Sequence, residues 1–509
     1  MSSTAPPGEP TTWARLDARM LLVHPVNELV RFLPAIIGIF FVGNSSGNGF
    51  WWHLGGVAIP ILLGIARFAT TSYRIADGQI QLRRGLVNRN VLTAPLDRVR
   101  TVELTSSLIH RALGLAKVQI GTGSAIKRGD ERIVLDSLAS DHAHRLRGEL
   151  LHHGIPQPTA GQPTGPATAR QPEPVDDEVI LRLDPRWARY APLTTSGLVI
   201  ALGALGFLSQ TLRGLPGAPE RTVGHAVTRL PLVLAVVGGI VTALVLVSVL
   251  AVLGYFAANW GFTLLRDRGN RSYHVRRGLF TTRETSIDRE RIRGLEIHEP
   301  LGLRLAGGAR LSAIVTGLGR RERGSSPLVP AAPRAVVVGV GEYVLGEAGP
   351  FTVPLGSHGP AARRRRYTRA LLGSGVLPAA VLAGGLGGLW PLWWVPVALL
   401  ALLPGALLAR DRYARLGHAL TGEYLVVRSG SFRGRRDALQ RQGIIGWNIT
   451  QSFFQRRAGL ATLTATTAAG RQGYSALDIP ESWAVALAEQ ATPALVGSFL
   501  TRAGVTAAS

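Results

Sequence analysis

One stretch of this chain recurs three times without a gap, and any fold must accommodate it. It begins at Gly85 (GLVNRNVLTAPLDRVRTVELTSSLIHRALGLAKV), at Gly278 (GLFTTRETSIDRERIRGLEIHEPLGLRLAGGARL) and at Gly430 (GSFRGRRDALQRQGIIGWNITQSFFQRRAGLATL). Each opening glycine is followed 29 residues later by a second one, Gly114, Gly307 or Gly459. Asp97-Arg98 falls on Glu290-Arg291 and on Gln442-Gly443, and Arg111, Arg304 and Arg456 share a register. A period held this strictly reads as one folding unit used three times.

Apolar segments precede each copy in pairs: 29–43 with 50–68, 190–212 with 230–258, and 367–389 with 391–409. A bilayer core takes about 20 apolar residues as a helix. The expectation is therefore six transmembrane α-helices in three hairpins, at 26–68, 187–258 and 363–409. Buried helices of a soluble protein are the alternative, stronger for the short 29–43 than for 230–258. Arginines crowd the open ends of the hairpins (Arg31, Arg67, Arg74; Arg189, Arg266, Arg268; Arg363 to Arg366, Arg369, Arg410, Arg412), while the turns at 44–49 and near 390 carry no charge. The 213–229 turn breaks this pattern with three arginines. By the positive-inside rule both termini and all three repeats face the cytoplasm of a bacterial plasma membrane.

Short alternating runs such as SYRIA, QIQLRR and AKVQIGTG predict strands. The unit they form is a small antiparallel sheet closed by one C-terminal helix. Units span 69–153, 259–349 and 410–496. In the first, Leu138, His142, Leu146 and Leu150 mark the helix, with Ser137 as its N-cap. Residues 1–25 read as a disordered N-terminus, 154–178 as a Pro/Gly linker and 497–509 as a tail. Residues 1–12 do not read as a signal peptide.

Helix pairs each followed by a β-rich unit, the D-R-V-R and E-R-I-R strands, and the L-G-L or A-G-G step resemble the bacterial pleckstrin-homology (PH) domain proteins of the YdbS/YdbT type. The three copies are most similar to the longer members. The resemblance implies a PH-like barrel with a capping helix in each of three small α+β units of a multi-domain membrane protein. It makes Gly85, Asp97, Arg98, Gly278, Glu290, Arg291 and Gly430 structural rather than ligand-binding. In the third unit Gln442-Gly443 replaces the acidic–Arg pair. A smaller family member with one hairpin and one unit is the partner it suggests.

The chain has no cysteine, which excludes thiol catalysis and Cys-ligated metal. His142, His144, His152 and His153 lack an HExxH pattern, and neither a G-x-S-x-G nor a P-loop occurs. No enzyme activity, cofactor, metal or small-molecule substrate is expected. The net charge of +24 rests on 56 basic residues of which only Lys117 and Lys127 are lysines. That is the mark of arginine-biased composition in a GC-rich bacterium and a positive membrane face, with no nucleic-acid motif. Basic loops are the candidate membrane- or partner-facing sites: Lys127 and Arg128 in unit one, Arg266, Arg268 and Arg271 with Arg320, Arg321 and Arg323 in unit two. Each cation near an anionic leaflet contributes about 1 kcal/mol; a solvated arginine-biased surface is the bland alternative. The expected function is a non-enzymatic inner-membrane scaffold. Its units are expected to bind a protein partner or the anionic bilayer surface, in an envelope-associated complex. A component of a transport or export system is the alternative, because prolines interrupt the spans although their interiors hold no ionisable residue.

Overall fold

The opening glycines are a backbone requirement. In the computed structural model Gly85, Gly278 and Gly430 have φ of 126°, 114° and 89°, and Gly114, Gly307 and Gly459 have 68°, 72° and 63°. A Cβ on Gly278 would lie 2.0 Å from the Thr281 carbonyl oxygen, and one on Gly430 would lie 2.3 Å from that of Arg433. Only glycine turns the chain this tightly between the second and third strands of a repeat. The structure describes residues 13–17, 71–76, 78–85, 90–96, 101–121, 133–152, 177–194, 232–269, 271–316 and 325–496, with Arg19, Ile65, Thr70 and Val99 besides.

The described residues form two compact units, and the chain passes between them at Leu183, Phe256 and Arg291. The first unit begins with a four-stranded antiparallel sheet, in the order β1 (Ala14–Arg15), β2 (Ser72–Ala76), β3 (Gln79–Arg84), β4 (Asn90–Pro95). Strand β1 and the buried Leu16 fall inside the stretch read as a disordered N-terminus. Strands β5 (Thr101–Ser107), β6 (Leu115–Gly121) and β7 (Ile133–Ala139) start a second sheet, with the short helix α1 (Leu108–Ala112) between β5 and β6. That sheet continues through β11 (Thr281–Asp288), β10 (Ser272–Arg277), β9 (Thr263–Arg266) and β8 (Glu178–Arg182), seven strands in all.

Alternating inward residues of both sheets (Ile80, Leu82, Leu92, Val102, Leu104, Val118, Ile120, Leu135) build one core. Helix α2 (Ser140–His152) closes it with Ala143, Leu146 and Leu150. Each such fully buried aliphatic side chain contributes about 1.5–3 kcal/mol. Ser137 does not cap α2: it sits in β7, fully buried at φ 63°, three residues before the helix starts.

The second unit repeats the plan. A six-stranded sheet runs β14 (Ser325–Pro333), β13 (Gly308–Val315), β12 (Ile292–Pro300), β17 (Arg433–Gln440), β16 (Tyr424–Ser429), β15 (Gly417–Leu420), with the short helix α4 (Leu301–Leu305) between β12 and β13 and α5 (Arg334–Leu345) after β14. A three-stranded sheet runs β18 (Gly446–Thr450), β19 (Leu460–Thr466), β20 (Gly473–Pro480). The C-terminal half of each of the first two repeats thus shares a sheet with the N-terminal half of the next. Bulges occur at the same repeat position each time, between Ala116 and Val118, Ala309 and Leu311, and Ala461 and Leu463.

The expectation of six membrane helices in three hairpins is overturned. Among the described residues two helices are long and apolar enough to cross a membrane, Gly359–Leu386 (α6) and Trp394–Ala414 (α7). They form one hairpin. Gly405 approaches Ser374 closely enough that a Cβ there would lie 2.3 Å from its Oγ. At the turn the Trp390 indole covers Gly384 and donates to the Val381 carbonyl at 2.7 Å.

Segments 29–43 and 50–68, Ile65 apart, and most of 190–212 lie outside the described residues. The start of the last is not a span: Pro185–Leu193 is a 3-10 helix with Trp187 and Tyr190 buried, the Tyr190 ring against Gly308. The run 230–258 is helix α3 (Leu232–Asn259), whose described apolar part, Leu244–Asn259, is shorter than a span. Its Val247, Ala251 and Tyr255, at helical spacing, are buried, and Tyr255 donates to the Ala331 carbonyl at 2.9 Å. An apolar face in use against strands gives the same hydropathy as one in use against lipid.

Gly278→Ala combines a strained φ with a backbone clash, and is expected to lower stability by at least about 2 kcal/mol. Gly307→Ala, with open space around it, is expected to cost about 1–2 kcal/mol. Thermal unfolding of the two variants in detergent checks the order; equal losses would contradict it.

Candidate functional site at the base of the helical hairpin

The Gly278 and Gly430 turns are each a junction of three elements. In the first unit Gly278 and Leu279 donate their amides to the Trp260 and Ala257 carbonyls at the end of α3, both at 2.9 Å. Arg111, on the short helix of the preceding repeat, donates to the Leu279 carbonyl at 2.9 Å. The second unit has the same plan in ionic form. Arg304, at the same repeat position, pairs with Asp411 near the end of α7 at 2.9 Å, and Ser431 donates to that carboxylate. Arg428 donates to the Ala414 carbonyl at 2.6 Å. Arg456, the third member of the series, is exposed.

Two more ionic clasps hold the hairpin, one to the third repeat and one to the second. Asp478, only 1% exposed and at φ 56°, accepts from Arg365 at 2.9 Å, Arg366 at 2.6 Å and Gln455 at 2.8 Å. Glu299 is clamped by Arg334 at 2.8 Å and Arg415 at 3.0 Å, which hold its carboxyl below the usual range against the opposing effect of burial. Removing the Asp478 carboxylate, 1% exposed between arginines that are 13% and 14% exposed, costs about 3–5 kcal/mol, because their charges are left without compensation. Arg363, Arg364, Arg369 and Arg410 remain exposed, with Arg412 half-buried beside them. Together they form a basic collar at the open end of the hairpin.

Beside the clasp lies a histidine pair. His358 donates Nδ1–H to the Leu477 carbonyl at 2.8 Å, so its Nε2 accepts from His418 Nδ1 at 3.0 Å. Burial, which is the larger cause, and the neighbouring imidazole push His418 down to about 4; burial lowers His358 too. Deeper in the second unit Arg471 meets Asp437 at 2.8 Å and Glu296 at 3.4 Å, with its guanidinium over the Tyr474 ring. Burial and the Glu296 carboxylate raise Asp437.

The residues expected as sites fall differently. Arg266 pairs with Glu178, while Arg268 and Arg271 are exposed on the same turn. Glu290 and Arg291 do not pair with each other. Arg291 bonds Asp288 at 3.0 Å, and the Glu290 amide donates to the same carboxylate at 3.0 Å. Lys127, Arg128, Arg320, Arg321, Arg323, Asp97 and Arg98 lie outside the described residues. The sequence reading missed Asp478, Glu299 and the histidine pair. The run of arginines in the first turns of α6 is the one signal that pointed there.

The family model described as Bacterial PH domain matches residues 29–153, 210–340 and 375–492, more than half of the chain. The chain belongs to this family. Each match takes in apolar sequence and the repeat that follows it, the first spanning both 29–43 and 50–68. The transmembrane protein YdbT of Bacillus subtilis (strain 168) is 24% identical over 132 residues, which is 25% of this chain and 26% of that relative. The alignment therefore spans about a quarter of the relative's length. No solved structure matches. The family, the relative and the apolar hairpin are together consistent with a membrane protein.

The histidine pair gives a pH dependence with a definite sign. Its folded-state values are lowered, so the unfolded chain binds more protons as pH falls. Its stabilisation is present in full above about pH 6.5 and is lost as pH drops toward 4. The unfolding temperature is expected to fall between pH 7 and pH 5, and His418→Gln to flatten that slope. An unchanged slope in the variant would rule the pair out as the cause.

Proposed function

We propose that this protein is a membrane-anchored, non-enzymatic scaffold whose PH-like repeats bind a membrane-protein partner at the cytoplasmic face. The observation that carries the reading is the clasp of Asp478 by Arg365 and Arg366. It fixes the third repeat to the hairpin, so its surface is presented at a set height above the bilayer. Arg363, Arg364, Arg369 and Arg410 lie at the same end of the hairpin, where anionic headgroups add about 1 kcal/mol per cation. Their position against the uncharged turn at 387–393 supports a cytoplasmic orientation. Repeats held together on one anchor raise one another's effective concentration for a shared partner. A smaller protein of the same family, with its own hairpin and unit, fits such a surface.

Affinity purification of the full chain in mild detergent is expected to recover a membrane protein in stoichiometric amount. A reporter fused after Val496 is expected in the cytoplasm. A folded protein recovered without any companion, or a reporter outside the membrane, would contradict the reading.

A further inference from the structure

Among the described residues two strands lack the partner that their repeat equivalents have. Strands β11 and β17, the third strands of repeats two and three, each pair with the fourth strand of the preceding repeat, β5 and β12. Strand β4 is the third strand of repeat one and closes one end of its sheet; β18 is the fourth strand of repeat three and closes one end of its own. Among the described residues no strand adds to the outer edge of either.

The two existing junctions share one register. Thr281, three residues after Gly278, faces Ser107, 22 after Gly85; Arg433, three after Gly430, faces Pro300, 22 after Gly278. The same register sets Val91 opposite Ile449 and Thr93 opposite Trp447. Burial tracks the missing partner on both sides. At the position of Ile449, Leu104 is 3% and Ile297 1% exposed, whereas Ile449 is 44% exposed. At the position of Thr93, Ser286 and Ala438 are fully buried, whereas Thr93 is exposed. Val91 is 52% exposed, where Arg436 at the equivalent site is 7%.

We infer that β18 of one molecule pairs antiparallel with β4 of a second copy, continuing between chains the junction that already joins the repeats within one. An unpaired edge with exposed β-branched side chains is a template for such addition. The Val91–Ile449 contact is the kind of cross-strand pair that stabilises it. The contact is head-to-tail, so two copies close reciprocally or a longer row forms. This deepens the scaffold reading by naming one partner, but its evidence is the repeat register and does not depend on the membrane anchor.

The chain has no cysteine, so introduced thiols report cleanly. Val91→Cys and Ile449→Cys are placed in two differently tagged full-length chains, co-expressed and mildly oxidised in the membrane. The expected result is a disulfide joining the two tags, at least tenfold more abundant than that from Val91→Cys with Asn448→Cys, whose side chain lies on the opposite face. No product above that control would overturn the proposal. So would a doubly substituted chain that closes only on itself.

Light scattering in detergent gives a second reading. The wild type is expected to be larger than one chain, and Val91→Lys with Ile449→Lys, both exposed positions, to reduce it to one chain with an unchanged circular dichroism spectrum. A monomeric wild type overturns the proposal. Recovery of a different protein in place of a second copy leaves the scaffold reading standing and sinks this one.

Discussion

A β-strand at the edge of a sheet carries a row of backbone N–H and C=O groups that need partners, and this fold is arranged around supplying them. Each repeat makes two half-sheets. The second half of one repeat takes the first half of the next, through β5 with β11 and β12 with β17. The Gly278 and Gly430 turns make this pairing possible, because they reverse the chain tightly enough to bring the third strand alongside the preceding repeat. The same turns anchor the ends of the preceding helices. The second repeat is consequently divided, its first half in one compact unit and its second half in the other, with the passage at Arg291.

Electrostatics then fix the helical hairpin to this framework. Asp478, Glu299 and Asp411 each meet two or more donors, most of them arginines, drawn from distant parts of the chain. Buried carboxylates need such partners to stay charged, and arginine's planar fork can bridge a helix and a strand at once. Repeat one builds the same corner from other residues: Ser137 occupies the bulge position of Asp478, and His110 that of Gln455. The arginine–carboxylate form occurs in the repeat that follows the apolar hairpin, where arginines crowd the helix start.

Much of this was legible in the residues. The 29-residue glycine frame, the closing helices at Ser140–His152, Arg334–Leu345 and Glu481–Ala491, and the hairpin near 363–409 all follow from local pattern. What was not legible depends on partners distant in sequence. Alternation marks β11 as a strand but does not say whether its edge meets its own repeat or the one before. The inward turn of Arg471 has no local signal, because Glu296 and Asp437, which it meets, come from two other strands. Glu290 and Arg291 read as a pair because they align with Asp97 and Arg98, yet Asp288 is the residue within reach of Arg291. The helix count failed because hydropathy sums apolar residues without separating Val247, Ala251 and Tyr255, which cover protein, from residues that face lipid.

The most direct test of the central claim, that sheets are shared between successive repeats, is native-state amide hydrogen exchange of the full chain in nanodiscs at increasing denaturant. The account predicts that amides of Thr281–Asp288 open together with Thr101–Ser107, and those of Ile292–Pro300 together with Arg433–Gln440, with separate opening energies for the two groups. Exchange of the whole second repeat as a single cooperative unit, distinct from its neighbours, would contradict it.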